Sequence, residues 1–351
     1  MQYFMNVLDP AHLLFWVTPN DMRQTPRVRI ILDRGAAIEI EASVEFANIK
    51  EWGWHATGLC GFDVTEALCP GLGAASHVEI YDCETNFLLY RRIPAPQKDV
   101  RLLGLDYTIG QENPLRDALF SQFQISYFGV QSIPHELLRC VIDLHYTESL
   151  FVYGGVLYQR YEEVLRQRNY LRTILIADPY IELARRILWL RRAAEAAQDE
   201  TQRWRTEHIR QPCQFAADLD LANVSALRKA FARIDVPTFQ WLANPLTRHL
   251  GSTLPDEVLR PEHWQAAIQN LSRFDVVGHR GFWDAYAATM LDVLGLDIPP
   301  PPERPVPEEV TALANALAGL SAVSDLVEMD FDLSDKVYSA VEKQWAVGPA
   351  A

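Results

Sequence analysis

Alternating apolar and polar residues dominate the first part of the chain, and this pattern is typical of half-buried β-strands. Residues 37–44 alternate with a period of two, and the apolar run 28–32 precedes them across a turn of Asp, Arg and Gly. Residues 77–82 and 87–92 are separated by four residues, which predicts a β-hairpin. Short strands at this spacing predict a small β-sandwich that covers residues 1–98.

Beyond residue 98 the apolar residues recur with the helical period of 3.6, interrupted by short apolar runs. The proline-containing stretch 94–98 marks the change and is predicted to be a linker. Strand and helix patterns then alternate, which predicts an α/β domain over residues 99–351, a parallel sheet flanked by helices. Ser132 is predicted to cap the second helix. The predicted helices lie at 114–124, 134–144, 158–167, 180–205, 308–320 and 333–345, and the predicted strands at 150–155 and 171–176.

The composition is that of a soluble globular protein, because 49% of the 351 residues are hydrophobic and 22% are charged. No apolar run reaches the roughly 18–20 residues that cross a bilayer. The apolar patch Leu13–Val17 lacks the basic flank of a signal peptide, so a cytoplasmic location is predicted. The formal net charge of −14 argues against nucleic acid as a partner, although it leaves room for a local basic pocket.

No metal site is predicted from the cysteines or from the acidic residues. The five cysteines form no C-x-x-C pair and are predicted to be scattered free thiols. The acidic residues near the C-terminus lack the glycine spacing of a calcium loop and are interpreted as a solvated face with helix caps. These residues are Asp325, Glu328, Asp330, Asp332 and Asp335.

Residues 244–251 read Asn-Pro-Leu-Thr-Arg-His-Leu-Gly and precede a helical stretch at 261–271. The sequence Phe-Asp-Val-Val-Gly follows at 274–278, and an amphipathic run ends at 291–296. This order resembles the C-terminal half of sulfotransferases that modify polysaccharides, in which an N-x-x-T-R-x-L signature precedes a helix and a strand. The resemblance covers about 150–345. It implies a P-loop-like α/β domain that transfers a sulfuryl group from the donor PAPS to a sugar hydroxyl.

The donor-binding motif of that family is altered in this chain. In the family a strand leads into a helix through R-D-P-x-x-R-x-x-S, whose Arg and Ser hold the 3′-phosphate of PAPS. Here Asp178 and the following proline remain, but Ala177, Glu182 and Arg185 replace the two Arg and the Ser. Each lost phosphate contact costs about 1.5–3 kcal/mol. Asp178 and Arg185 are the candidate cofactor-binding residues here, and a plain helix start is the alternative role of Asp178.

The loop that would bind the 5′-phosphosulfate of PAPS is also not evident. Such a loop needs small residues and a Lys between a strand and a helix, so that backbone N–H groups surround the phosphate. The closest candidates are residues 104–110 and the pair Gly154-Gly155, and neither contains a Lys. These changes weaken the expectation that PAPS is the cofactor.

Candidate catalytic residues lie after predicted strands or at helix starts. His279 follows the strand at 274–277 and His135 begins a helix, so each is a candidate general base for a sugar hydroxyl. Arg280 is a candidate ligand for a sulfate, a phosphate or a uronate carboxylate. Arg248 of the N-x-x-T-R segment is predicted either to reach the active cleft or to fix its own loop.

Tryptophans occur close together at Trp52–His55 in the predicted β-sandwich. This stretch is predicted to belong to the core, as such aromatic residues usually do. An exposed aromatic platform for sugars is the alternative interpretation.

Three functions remain open from the sequence. The first is a sulfotransferase-like enzyme of surface polysaccharide biosynthesis, which acts on a carbohydrate or a nucleotide-linked small molecule. The second is a non-catalytic, degenerate fold that binds a glycan or a protein partner, with the N-terminal β-domain as a possible protein-binding module. The third is a glycosyltransferase with a nucleotide-sugar donor, which the absence of a D-x-D motif between a strand and a helix weakens.

Overall fold

A computed structural model describes residues 1–94, 98–110, 112–201 and 203–346. Most of the predicted linker at 94–98 lies outside these residues. The chain divides into two compact units, called here the N-terminal unit and the C-terminal unit. The N-terminal unit comprises Met1–Leu103, Leu119–Tyr153 and Glu163–Leu171, and the C-terminal unit comprises Gly104–Ala118, Gly154–Glu162 and the chain from Arg172 onward.

Two four-stranded antiparallel sheets form from the first 92 residues, as the alternating pattern predicts in outline. Their strands are β1 (Gln2–Asp9), β2 (His12–Thr18), β3 (Arg27–Leu32), β4 (Ala37–Glu41), β5 (Val44–Glu45), β6 (Leu59–Thr65), β7 (Val78–Asp82) and β8 (Leu88–Arg92), and α1 (Ala47–Glu51) precedes β6. The strand orders are β1-β2-β6-β5 and β4-β3-β7-β8. The predicted hairpin is confirmed, since β7 and β8 pair antiparallel. The strands β1, β2 and β6 were not predicted.

A five-stranded parallel sheet confirms the predicted α/β class. Its strands are β9 (Arg101–Leu105), β10 (Ile125–Phe128), β11 (Leu150–Gly154), β12 (Leu171–Ile176) and β13 (Val276–His279). The strand order is β10-β11-β9-β12-β13. The two strands predicted at 150–155 and 171–176 are β11 and β12, and they match to within one residue.

Twelve further helices surround or follow these strands in the described chain. They are α2 (Pro114–Leu119), α3 (His135–Ile142), α4 (Tyr158–Gln167), α5 (Pro179–Ala196), α6 (Arg210–Asp218), α7 (Val224–Phe231), α8 (Val236–Leu242), α9 (Pro245–Gly251), α10 (Pro261–Leu271), α11 (Trp283–Val293), α12 (Glu308–Ala318) and α13 (Ser324–Ala346). The helices predicted at 158–167 and 261–271 are confirmed exactly as α4 and α10.

Several predicted details of the helices are wrong. The helix predicted at 114–124 ends at Leu119, and the helix predicted at 333–345 begins at Ser324. The long helix α5 ends at Ala196 and not at Arg205. Soon after it the Asp199 carboxylate accepts the N–H and the hydroxyl of Thr201, at 2.9 and 2.8 Å, and such local bonds favour turns over helix. Ser132 does not cap α3 either, because its hydroxyl donates to the carbonyl of Gly129 at 2.7 Å.

A hydrophobic core lies among the helices of the C-terminal unit. Buried side chains from α5, including Leu183, Ile187 and Leu190, belong to it. It also contains buried residues from α6, α7, α8, α12 and α13. Packing of its apolar side chains in this core fixes the position of α5, and α5 carries several of the candidate site residues.

Among the described residues, no single helix combines the length and apolarity of a membrane span. Only α12 together with the segment Ser321–Gln344 reaches that composition, as a pair bent by 101°.

Candidate functional site

The carboxyl ends of three parallel strands carry polar residues of the C-terminal unit. Asp106 follows β9, Asp178 follows β12, and Arg280 follows β13. In the parallel pair β12–β13, Ile176 lies opposite His279, so their following loops share one edge of the sheet. Ligands of open α/β sheets bind at this edge. We call this group the carboxyl-edge site, and it comprises Asp106, Asp178, Glu182, Arg185, His279 and Arg280.

Asp178 is the N-terminal cap of α5. Its carboxylate accepts the backbone N–H groups of Tyr180 and Ile181, each at 2.9 Å, and Pro179 occupies the first helical position. These are the N–H groups that would bind an anion at a helix N-terminus. The carboxylate of the protein itself therefore fills the position at which a phosphate would contact α5.

Backbone N–H groups of the loop at 104–110 are hydrogen-bonded to acidic side chains of the protein rather than to an anion. The Asp106 carboxylate accepts the N–H and the hydroxyl of Thr108, at 2.9 and 2.6 Å. The N–H group of Ile109 is bound by Glu182, at 3.2 Å. This use of the backbone N–H groups differs from that of a phosphate-binding loop.

Glu182 and Arg186 form a buried ion pair one helical turn apart on α5, with a distance of 2.7 Å. Glu182 is only 1% exposed, and burial raises the pKa of its carboxyl to about 7. The Arg186 guanidinium also donates to the carbonyl of Tyr107 at 2.7 Å and lies over the ring of Trp241. Oε2 of Glu182 has no hydrogen-bond partner among the described residues. Glu182, which replaces an Arg of the donor-binding motif, thus forms an ion pair within the protein.

The i,i+4 spacing of Glu182 and Arg186 is the signal in the sequence that points to this pair. The sequence analysis did not predict this ion pair, because it considered Glu182 only as the replacement of a phosphate-binding Arg. A carboxyl with a pKa near neutrality exchanges its proton at physiological pH, which is a property of acid–base groups.

Arg185 and Arg280 are two cationic side chains close enough to repel each other. Burial, and then the positive charge of Arg280, lower the pKa of Arg185. The buried Nε of Arg185 has no hydrogen-bond partner among the described residues. Arg280 is also buried, and its Nε lies 2.8 Å from a carboxylate oxygen of Glu303. The carboxylates of Glu182, Asp106 and Glu303 act on Arg185 in the opposite direction, and an anion between the two guanidinium groups would add to this stabilisation.

His279 is held in one tautomer by its two hydrogen bonds. Its Nδ1 accepts the N–H of Gly281 at 3.0 Å, so the proton lies on Nε2, which donates to the hydroxyl of Ser334 at 3.1 Å. Burial lowers the pKa of the imidazole, which is therefore neutral at pH 7. Both ring nitrogens are occupied by the protein, and a sugar hydroxyl has no access to a lone pair in this arrangement.

Arg248 donates to three backbone carbonyls rather than to a ligand. The acceptors are the carbonyls of Gln240, Pro255 and Glu257, at 3.0, 3.0 and 2.8 Å. Burial is the main cause of the lowered pKa of Arg248. The geometry corresponds to the interpretation in which Arg248 fixes the loop between α8 and α10.

Asp330 caps α9 from a distant part of the chain. Its carboxylate accepts the N–H groups of Leu246 and Thr247, at 2.8 and 2.7 Å, and the hydroxyl of Thr247 at 2.7 Å. It is 2% exposed, and burial raises its pKa to about 6. The interpretation of Asp330 as part of a solvated acidic face is therefore wrong. Asp330 is a helix cap, as predicted, but it caps α9 and not α13, the helix to which it belongs.

His135, the second candidate base, belongs to the N-terminal unit. It is the first residue of α3 and lines a groove of about 420 Å³. Trp16 and Trp54 line the same groove. The structure thus places His135 in one unit and the carboxyl-edge site in the other.

The prediction that Trp52–His55 belongs to the core is wrong for both tryptophans. Trp52 is 56% exposed and Trp54 is 41% exposed, whereas His55 is buried as predicted. The indole rings of Trp52 and Trp54 lie 4.9 Å apart. The alternative of an exposed aromatic platform agrees with this arrangement.

In the described part of the chain, no group of three or more His, Cys, Asp or Glu side chains has the arrangement of a metal site. Comparisons with protein-family models, with curated protein sequences and with solved structures find no match to this chain.

Proposed function

We propose that the C-terminal unit binds an anionic group of PAPS between Arg185 and Arg280 and transfers the sulfuryl group of PAPS to a sugar hydroxyl, with PAP as the leaving group and release of the hydroxyl proton. The observation that carries the proposal is the placement of two mutually repelling arginines at the carboxyl edge of a parallel sheet. The resemblance of residues 150–345 to polysaccharide sulfotransferases supplies the reaction type.

Charge and geometry support an anionic ligand at this place. The planar guanidinium group binds phosphate and sulfate oxygens through two parallel N–H bonds. An anion between Arg185 and Arg280 would remove their repulsion and would give the buried Nε of Arg185 a partner. The carboxylates of Asp106, Asp178 and Glu182 lie in the same site and the chain has a formal net charge of −14, so the two guanidinium groups favour a small anion over an extended polyanion.

The acid–base step would need a rearrangement of His279 or a contribution from Glu182. His279 accepts a hydroxyl proton only after its Nδ1 releases the N–H of Gly281. Glu182 has a suitable pKa of about 7 but is buried beside Arg186. An enzyme of this type therefore needs a ligand-induced change at one of these two residues.

Binding without catalysis is the second candidate function, and the hydrogen bonds of His279 and Arg248 favour it. Both side chains were candidates for the active cleft, and both are held by groups of the protein itself. A ligand at Arg185 and Arg280 would then be bound and not transformed.

Isothermal titration of the full chain with PAP, UDP and inorganic sulfate tests the anion site. We expect PAP to bind with micromolar affinity and Arg185→Ala to weaken the binding at least tenfold. Arg192→Ala is the matched control, because Arg192 lies on the same helix and pairs with Glu309 at the surface. Equal PAP binding by wild type and Arg185→Ala, or no binding of any of the three probes, contradicts the proposal.

Incubation with PAPS and oligosaccharides separates the two candidate functions. Sulfated oligosaccharide detected by mass spectrometry supports the enzyme. Binding of PAP without product supports the non-catalytic function, and binding of UDP instead of PAP points to a glycosyltransferase.

A further inference from the structure

The groove that contains His135 has an aromatic side and a polar side within the N-terminal unit. Its volume of about 420 Å³ lies in the range of about 300–1,000 Å³ that is common for ligand sites. Phe4, Trp16 and Trp54 form the aromatic side, and side chains of α3 and the residues after it form the polar side.

The aromatic side is built so that its rings remain exposed. Helix α1 ends in a tight turn, in which Gly53 donates to the carbonyl of Lys50 and Trp54 donates to that of Ile49. Gly53 has a φ of 73°, which residues with a Cβ rarely adopt. This turn presents Trp52 and Trp54 outward, and the ring of Trp16 lies 6.0 Å from that of Trp54.

Several large exposed rings in one place mark a binding surface. Burial of apolar surface contributes about 25 cal/mol per Å² to the free energy of folding. Aromatic rings that stay exposed in a cluster do not make this contribution. Single exposed apolar residues are normal, but contiguous ones are typical of interaction sites. The rings of Phe4, Trp52 and Trp54 are all at least 41% exposed.

The polar side carries both hydrogen-bond acceptors and donors. Glu136 and Asp143 bear carboxylates, which only accept when ionised, and Arg139 bears a guanidinium, which only donates. Asp143 is held in place by Arg168 at 2.7 Å, so one of its oxygens is pre-positioned. A ligand must therefore offer donors and acceptors at once, together with an apolar face that fits flat rings.

We propose that this groove binds a carbohydrate chain. A sugar ring presents a face of C–H groups that packs on an indole ring, and each of its hydroxyls both donates and accepts. These two properties match the aromatic side and the polar side of the groove. A proline-rich peptide also stacks on tryptophan, but it lacks N–H groups at its prolines and offers no backbone donor to the Glu136 carboxylate.

The carbohydrate site is independent of the anion site. Its lining residues all belong to the N-terminal unit, whereas Arg185 and Arg280 belong to the C-terminal unit. Loss of glycan binding with unchanged PAP binding, and the reverse, are therefore distinguishable results.

Tryptophan fluorescence and isothermal titration of the full chain with soluble neutral oligosaccharides test the proposal. The probes are pentasaccharides of glucose, mannose and N-acetylglucosamine, and a deca-proline peptide is the competing ligand. We expect at least one pentasaccharide to bind, with Trp54→Ala reducing its affinity at least tenfold and Glu136→Gln at least threefold. Trp204→Ala is the control, since Trp204 is 71% exposed in the C-terminal unit.

Far-UV circular dichroism and the variant Trp54→Phe separate loss of the ring from loss of folding. Trp54→Phe retains a flat ring and should bind more tightly than Trp54→Ala. The proposal is overturned if no pentasaccharide binds, if Trp54→Ala binds as tightly as wild type, or if only the deca-proline peptide binds.

Discussion

The side-chain oxygen of Asn244 accepts the backbone N–H group of Met329 at 3.0 Å. The same oxygen accepts the N–H of Asp330 at 3.2 Å, and the Asn244 amide donates to the carbonyl of Asp325 at 3.2 Å. The backbone N–H of Asn244 donates to the carbonyl of Leu326 at 2.8 Å. In an α-helix these carbonyls and N–H groups are each other's partners. Asn244 thus inserts into the hydrogen-bond ladder of α13.

Replacement of Asn244 by Ala should lower the free energy of unfolding by about 2–4 kcal/mol. The change removes three side-chain hydrogen bonds to backbone groups of α13, one of them buried and two part-buried, and a buried group without a partner costs about 1–3 kcal/mol. Urea denaturation followed by circular dichroism measures the effect. Asn223→Ala is the control, because Asn223 makes one capping bond at a helix start, to Ala226, and should cost about 1 kcal/mol. A loss no larger for Asn244→Ala than for Asn223→Ala would contradict this account.

Glu182 should make the protein less stable as the pH rises through neutrality. Its folded pKa of about 7 is higher than the ordinary value of 4.5, so the folded state binds more protons than the unfolded state between these values. Stability therefore falls with rising pH in this window and levels off above it. From pH 6 to pH 8 the loss attributable to Glu182 is about 1.4 kcal/mol. Denaturation curves at several pH values measure it.

Glu182→Gln should remove this part of the pH dependence, whereas Glu309→Gln, at an exposed pair, should leave it unchanged. His249 has the opposite sign, because burial lowers its pKa to about 4 and its contribution disappears as the pH falls below 6.5. The difference between the profiles of wild type and Glu182→Gln isolates Glu182, because both proteins contain His249. Parallel pH profiles for wild type and Glu182→Gln would show that the Glu182 carboxyl is ionised in the folded protein.

Local periodicity explains which elements the sequence predicts well. Helix α4 and strand β12 have uninterrupted patterns, and both were predicted to the residue. Strand β2 was missed because the apolar run Leu13–Val17 does not alternate, although Leu14 and Trp16 are only half-buried between buried neighbours. Helices α6 to α8 are short, and they are stabilised by the burial of their apolar residues against other helices of the C-terminal unit rather than by local sequence.

The candidate site depended on contacts that are distant in sequence. The carboxyl-edge placement of Asp178, His279 and Arg280 follows from the order of strands and helices, and the sequence predicted it. The partners of Asp330 and Asn244 lie more than 80 residues away, so no local pattern identifies their burial. Exposure of Trp54 depends on the turn at Gly53 and on the neighbouring strand β2. Composition alone assigns tryptophan to the core.

Replacement of Arg248 should lower the free energy of unfolding, whereas replacement of Arg185 should not. Arg248→Ala leaves three carbonyls without their donor and should cost about 2–4 kcal/mol. Arg185→Ala removes a charge that Arg280 repels and an Nε that has no partner in the described chain. We expect its free energy of unfolding to stay within about 0.5 kcal/mol of wild type or to rise. A large loss for Arg185→Ala, measured by urea denaturation, would mean that the side chain serves the fold and not a ligand.

Gly278 should tolerate no side chain, because a methyl group there would overlap the ring of Tyr286. That ring cannot move freely, since its hydroxyl is hydrogen-bonded to Thr173 at 2.9 Å and it is buried. Gly278→Ala should lower the free energy of unfolding by about 1–3 kcal/mol, as overpacking of a core does. Gly319→Ala is the control, because the methyl group would make only an ordinary contact there.

A double-mutant cycle with Tyr286→Ala identifies the cause of that loss. Tyr286→Ala removes the ring carbons nearest to the added methyl group, so Gly278→Ala should cost much less in the Tyr286→Ala background than in wild type. Thermal or urea denaturation of the four proteins gives the coupling energy. Additive losses would show that the backbone of β13, and not the contact with Tyr286, requires glycine at this position.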